Sequence, residues 1–114
     1  MLNPHPKLIL IMISRNKIEE FCTDNDIEIQ FISHQDNAII GLSTCFSEFK
    51  VVYSYLKIIE RLKQEMSMEE AIEFFEFNIE NSFTGNSAPV IIRDDIDWSE
   101  YDPAAKKVHI VSKR

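Results

Sequence analysis

Glycine is scarce in this chain. Only two of its 114 residues are glycine and four are proline, so flexible linkers between separate domains are not expected. Hydrophobic residues make up 45% of the chain and charged residues 27%, which is typical of a folded globular protein. A chain of this length can bury a core without metals or disulfides. We therefore predict a single domain over residues 1–114.

Cysteine is also scarce, and no membrane-spanning or targeting segment is apparent. Cys22 and Cys45 match no metal-ligand spacing and follow no secretory signal, so reduced thiols in a cytoplasmic protein without cofactor or metal are expected. The hydrophobic run at residues 8–13 is too short for a membrane span, which needs about 20 residues. This run is predicted to pack on the core, either as a strand or as the segment that leads into the first helix. Met12 is an alternative start, in which case residues 1–11 are an N-terminal extension.

Basic residues are few relative to acidic ones. The chain has 12 lysines and arginines against 19 aspartates and glutamates, a net charge of −7. Residues 60–102 contain twelve acidic and three basic side chains and so carry −9. Because nucleic acids and anionic membranes attract lysine and arginine, direct binding to either is not expected. This negative charge is better explained by a protein partner with a basic surface, or by a role in solubility alone.

Apolar periodicity and capping residues predict three helices. The expected N-caps are Ser14 for a helix over residues 15–23, Ser54 for a helix to about residue 65, and Ser67 for the helix that follows. The start at Ser67 is the best defined, because Glu70 stands at the spacing of a reciprocal capping box. On that third helix Phe75 and Ile79 lie on the stripe expected to face the core.

Five strands are predicted from alternating or β-branched stretches, at residues 27–31, 38–42, 49–53, 88–93 and 106–112. The first two are expected to pair as a hairpin. Residues 94–114 are predicted to form an acidic aromatic loop and the terminal strand. Hairpins without strand–helix alternation favour an α+β fold, an antiparallel sheet of four or five strands with two main helices packed on one face.

The order of motifs over residues 36–92 resembles a family of small, uncharacterised proteins found in bacteriophages and bacterial genomes. The residues that carry the resemblance are Asp36, residues 38–41, Val52, Tyr53, Lys57, Ile59, Glu60, Met66, Ser67, residues 69–71, residues 74–79, Gly85 and Pro89. Ser54 and Leu56 stand where that family tends to have acidic residues, and residues 81–84 replace its usual Gly-Ala-aromatic-Val run. The resemblance implies a small intracellular α+β protein, often phage-borne, and supplies no catalytic residues.

Four carboxylates are predicted to share one face of the third helix. Glu69, Glu73, Glu76 and Glu80 are spaced four, three and four residues apart, which stacks them opposite the apolar residues. One interpretation is a surface that mimics the phosphate row of a nucleic acid and occupies a basic groove on a partner. The other is a solvated face that keeps the protein soluble.

Two further groups of residues are candidates for function. Trp98 and Tyr101 lie among carboxylates and are either interface anchors or, for Trp98, a lid on the core. Asn78 interrupts the apolar pattern, and a buried amide there would either pin the following loop or belong to a ligand pocket. Gly85 or Asn86 is expected to take the left-handed conformation at the helix exit, and Pro89 to lie among the first residues of a strand.

The sequence favours a protein that binds another protein rather than an enzyme. His34 and Asp36 lie in one short loop, where turn formation explains Asp36 better than catalysis does. We therefore expect a cytoplasmic protein-binding module of phage or mobile-element type, which could inhibit a nucleic-acid-handling host protein. The alternative is a small enzyme or ligand-binding protein with a pocket near Asn78 and residues 84–89. A convex acidic ridge favours the first, and a concave apolar site with convergent polar groups favours the second.

Overall fold

Three helices and three strands make up the part of the chain that the computed structural model describes, residues 14–97 and 99. In chain order they are α1 (Arg15–Asp24), a 3-10 turn (Asp36–Ala38), β1 (Ile39–Cys45), β2 (Glu48–Ser54), α2 (Tyr55–Leu62), α3 (Met68–Asn78) and β3 (Val90–Ile92). The fold is therefore α+β. No helix in this part of the chain is long and apolar enough to cross a membrane.

The three predicted helix starts are confirmed. The hydroxyl of Ser14 accepts from the backbone N–H of the third helical residue, and Ser54 and Ser67 do the same for their helices. At Ser67 the capping box is complete, since the Glu70 carboxylate also accepts from the Ser67 N–H at 3.0 Å. Helix α2 ends at Leu62, before the predicted residue 65, because the chain must turn there to enter α3.

The sheet differs from the prediction of four or five antiparallel strands. Within residues 14–97 it has three strands in the order β1-β2-β3, with β1 antiparallel and β3 parallel to β2. Parallel neighbours need a crossover, and α2 and α3 supply it between β2 and β3. The predicted strand at residues 27–31 is wrong, since this segment pairs with no other strand. The predicted strand at residues 106–112 lies outside the described residues.

The hairpin joins β1 to β2 rather than the predicted pair of segments. Its two turn residues, Phe46 and Ser47, have φ values of 52° and 66°. Positive φ at both central positions is the geometry of a type I′ turn, whose twist matches that of paired strands. Glycine and asparagine usually occupy these positions, so the sequence gives no sign of this turn.

One cluster of buried side chains joins the sheet to all three helices. Val51 and Tyr53 of β2, Ile58 of α2 and Phe75 of α3 are each no more than 1% exposed. Phe75 also meets Tyr55 edge to face, with ring centroids 4.8 Å apart. The predicted core role of Phe75 on α3 is therefore confirmed.

The two cysteines differ in exposure, and neither forms a disulfide. Cys22 of α1 is buried in the core cluster, whereas Cys45 at the end of β1 is exposed. Burial raises the pKa of the Cys22 thiol, because it disfavours the thiolate. Cys22 therefore acts as a small apolar core residue.

Tyr53 fixes the loop that follows residue 31. Its hydroxyl oxygen accepts a buried hydrogen bond of 2.8 Å from the backbone N–H of Ile32. Burial is the main cause that raises the pKa of Tyr53, so the phenol stays protonated at neutral pH. The Tyr53 side chain thus ties the start of the loop at residues 32–35 to the central strand.

Asp94 caps helix α2 from a distant part of the chain. Its carboxylate accepts from the Ser54 hydroxyl at 2.5 Å and from the Leu56 N–H at 3.0 Å. Ser54 in turn accepts from the Lys57 N–H at 3.1 Å. Some loss of solvent around the Asp94 carboxylate acts to raise its pKa, but the hydrogen bonds from Ser54 and Leu56 outweigh it and the pKa lies below the ordinary value. The segment after β3 is thereby fastened to the start of α2.

The charge of Asp94 is expected to make stability depend on pH. Because the folded-state pKa is lowered, the carboxylate stabilises the fold above the ordinary aspartate pKa of about 3.9, and this contribution is lost as the pH falls through the lowered value. Asp94→Asn keeps one hydrogen-bond acceptor but loses the negative charge. The substitution should lower the free energy of unfolding by about 0.3–1 kcal/mol at pH 7. Urea denaturation of both proteins from pH 7 down to pH 3 measures this difference. The difference in unfolding free energy between the two proteins should shrink below about pH 4. A difference that stays constant from pH 7 to pH 3 would contradict the role of the Asp94 charge.

Candidate functional site

Helix α3 presents a row of glutamates to solvent. Glu69, Glu73 and Glu76 are exposed on the helix, and Glu80 is exposed just beyond its end. Neither these four side chains nor Glu70 forms an ion pair within residues 14–97. Residues 66–92 contain no lysine or arginine, so the local field is uniformly negative.

A large apolar side chain lies within this row. Phe77 is 78% exposed and lies one helical turn after Glu73, while Glu80 follows it just beyond the end of α3 at Asn78. We call Glu69, Glu73, Glu76, Glu80 and Phe77 the acidic face. Phe77 is thus a large apolar side chain of α3 that the core leaves mostly uncovered. An exposed aromatic side chain beside charged residues is typical of a contact surface.

Arg93 lies at one end of the acidic face but is already neutralised. Its guanidinium donates to both carboxylate oxygens of Asp95, at 2.9 and 2.8 Å, and stacks 3.9 Å above the ring of Tyr55. Burial raises the pKa of Tyr55, Arg93 lowers it, and Asp95, Glu76 and Glu80 raise it further. Arg93 therefore reduces the negative field at Glu80 only in part.

A cavity of about 490 Å³ opens on the other side of α3. Its apolar wall and its polar groups come from the loop at residues 32–35 and from the ends of α2 and α3. The apolar lining residues are Ile32, Leu62, Met66, Phe74, Ile79 and Phe83, and the polar ones are Ser33, His34, Gln35, Arg61, Glu65 and Asn78. This size and composition are those of small-molecule sites in proteins.

The cavity contains a buried amide that the sequence did not reveal. Gln35 is only 3% exposed, and its Oε1 has no hydrogen-bond partner. Glutamine is usually a surface residue, and nothing in the local pattern indicates that the loop turns inward at this position. The preceding residue, His34, has a φ of 64°, which an L-residue seldom adopts and which helps to turn the loop.

The candidate residues near the end of α3 take different places. Asn78 is exposed rather than buried, and it lines the cavity; its carbonyl oxygen accepts from the Ser82 hydroxyl. Gly85 has the expected left-handed backbone, with a φ of 90°, but it lies in the loop well beyond the end of α3 at Asn78 and not at the helix exit; Pro89 directly precedes β3. Neither Gly85 nor Pro89 lines the cavity. A pocket formed by Asn78 together with residues 84–89 is therefore not what the structure shows.

Other candidate chemistry is not supported within the described residues. In that part of the chain no three histidine, cysteine, aspartate or glutamate side chains are grouped so that they could hold a metal ion. Trp98 and Tyr101 lie outside the described residues, and their role as interface anchors stays a prediction.

Comparison of the chain with protein-family models, with curated proteins and with solved structures finds no significant match. The acidic face and the cavity must therefore be interpreted from their own geometry and chemistry.

Proposed function

We propose that this protein is a non-enzymatic binding module that docks a protein partner through the acidic face. The observation that carries the proposal is Phe77, which is 78% exposed within a row of glutamates that have no ion-pair partners among residues 14–97. A purely solvated face gains nothing from an exposed phenylalanine. A binding surface does, because a central aromatic anchor surrounded by charge gives both affinity and orientation.

The charge of the face defines the partner. Like charges three or four residues apart on a helix destabilise it by a few tenths of a kcal/mol per pair. A basic partner removes this repulsion on binding, and a complementary field also speeds association. Nucleic acids are excluded as direct ligands of this face, because their phosphates carry the same sign. The partner we propose is a protein with a basic groove and an apolar site that accepts Phe77.

A basic groove of this kind is typical of proteins that handle nucleic acids. An acidic face on a helix can occupy such a groove in place of the phosphates. Together with the resemblance to phage and bacterial proteins, this supports an inhibitor of a nucleic-acid-handling host protein, acting in the cytoplasm. Trp98 and Tyr101 are the further aromatic residues that we propose to contact the partner.

Capture from a bacterial lysate at two salt concentrations tests the proposal. The Debye length falls from about 10 Å at about 0.1 M salt to about 3 Å at about 1 M, so a complex held by the acidic face should dissociate between these conditions. We expect a specific basic protein to be retained on the immobilised chain at low salt and released at high salt. Retention that does not depend on salt, or retention of acidic proteins, would argue against the acidic face as the contact surface.

The cavity favours a second candidate function, the binding of a small ligand. A concave apolar site of about 490 Å³ with several polar groups at its wall is the arrangement expected of such a protein. It lies apart from the acidic face. Phe74 and Asn78 line it, and Asn78 and Glu76 point roughly 160° apart around the axis of a helix with 3.6 residues per turn.

A further inference from the structure

The amide of Gln35 stands out among the polar groups of the cavity. The backbone of this residue is fully engaged, since its N–H donates to the Ile32 carbonyl at 3.4 Å and its carbonyl accepts from the Ala38 N–H at 2.9 Å. These bonds and the Tyr53 hydroxyl bound to Ile32 hold the loop in place. The side chain is thus fixed at the cavity wall while its Oε1 lacks a donor. Because buried polar atoms in native proteins are nearly always hydrogen-bonded, this oxygen requires a donor from water or a ligand in the cavity.

An exchange of the amide oxygen and nitrogen does not remove the deficit. The two ends of a glutamine amide are nearly equivalent in shape, and reversing them would place an unpaired N–H donor where the unpaired oxygen now lies. A ligand that offers a donor and an acceptor side by side satisfies the amide in either orientation. Primary carboxamides and the edges of nucleobases have this arrangement.

The charges around the cavity indicate a neutral ligand. Among the described residues that line the cavity, Arg61 is the basic side chain and Glu65 the acidic one. They form an ion pair, with Nη1 of Arg61 2.7 Å from Oε2 of Glu65. Because these charges offset each other, the cavity does not attract an ion of either sign. Phe74 and Phe83 supply flat apolar surface for a planar body.

We propose that this cavity binds a small neutral molecule with an aromatic or apolar body and an amide-type edge, which pairs with Gln35. The inference rests on the second candidate function and not on the acidic face. His34 lines the same cavity, and its left-handed backbone helps to turn the loop at this point.

Titration with benzamide, adenine and benzoate, followed by NMR of the backbone amides, tests the inference. Benzamide and adenine have a donor and an acceptor side by side, whereas benzoate is charged and has only acceptors. We expect benzamide or adenine to shift the signals of residues 32–35 and of Phe74 and Asn78, and to bind at least about tenfold more tightly than benzoate. The preference between benzamide and adenine distinguishes a carboxamide ligand from a nucleobase.

Gln35→Met tests the role of the amide, because methionine keeps the size of the side chain and removes its polar atoms. The unliganded variant should be at least as stable as the unaltered protein, since no hydrogen bond is lost. Its affinity for the preferred probe should fall at least about tenfold. The matched control is Gln64→Met, a change at an exposed glutamine outside the cavity, which should leave binding unchanged.

Two results would overturn the inference in different ways. If benzamide, adenine and benzoate bind the cavity equally and Gln35→Met binds as before, the cavity is a ligand site but the amide-type edge is wrong. If none of the probes shifts signals around the cavity, the ligand-binding function fails as well. The titration of the unaltered chain decides between these results even if Gln35→Met does not fold.

Discussion

Phe75→Ala is expected to lower the free energy of unfolding by about 3–5 kcal/mol, the usual cost of truncating a buried phenylalanine. The side chain is 1% exposed and packs edge to face on Tyr55, so its removal opens a cavity at the contact between α3 and α2. Since domains of this size are stable by only about 5–15 kcal/mol, a large part of the stability would be lost. Urea denaturation followed by circular dichroism measures the change.

Phe77→Ala is the matched control for this prediction. It removes the same side chain from the same helix two residues further on, where the ring is 78% exposed. Its effect on stability should stay within about 0.5 kcal/mol, as for other surface substitutions. A large loss for Phe77→Ala together with little loss for Phe75→Ala would mean that α3 faces the core with its other side. The glutamates could not then form an exposed row.

The double variant Glu73→Lys, Glu76→Lys is expected to fold normally and to lose capture of the partner. Both positions are exposed and free of ion pairs among residues 14–97, and lysine has a good helix propensity. Reversal places two positive charges opposite a basic groove, and like charges across an interface cost several kcal/mol. The measurement is retention of the protein captured at low salt, with circular dichroism as the check on folding.

A control with the same net charge separates the acidic face from charge in general. Glu20→Lys with Glu60→Lys changes the net charge of −7 by the same amount, at exposed positions on α1 and α2. This variant should retain the partner nearly as well as the unaltered chain, because steering depends on where the charge lies. If both double variants lose capture equally, overall charge governs binding. If neither does, the row on α3 is only a solvated face.

The sequence by itself determined the helices and the orientation of α3. N-caps act within a single turn, so Ser14, Ser54 and Ser67 mark their helix starts without reference to the rest of the chain. Helical spacing then separates Phe75, which is buried, from the exposed glutamates. These features depend on residues at most four positions apart, and local physical chemistry is sufficient to predict them.

The sheet was decided only by tertiary structure. The segment at residues 27–31 alternates like a strand, and Ile27, Ile29 and Phe31 do pack on the core, but alternation reports burial and not pairing. The hydrogen bonds of β2 go instead to β1, through a turn without glycine, and to β3. Which strand pairs with which depends on contacts between distant residues, because the same apolar pattern suits several partners.

The candidate sites divide in the same way. The row of glutamates lies on one helix and is visible in the sequence, whereas the exposure of Phe77 depends on what the rest of the chain covers. The cavity needs the loop at residues 32–35 to meet the ends of α2 and α3, which are far apart in the chain. The unmet oxygen of Gln35 exists only in the folded protein, because in the unfolded chain water would satisfy it.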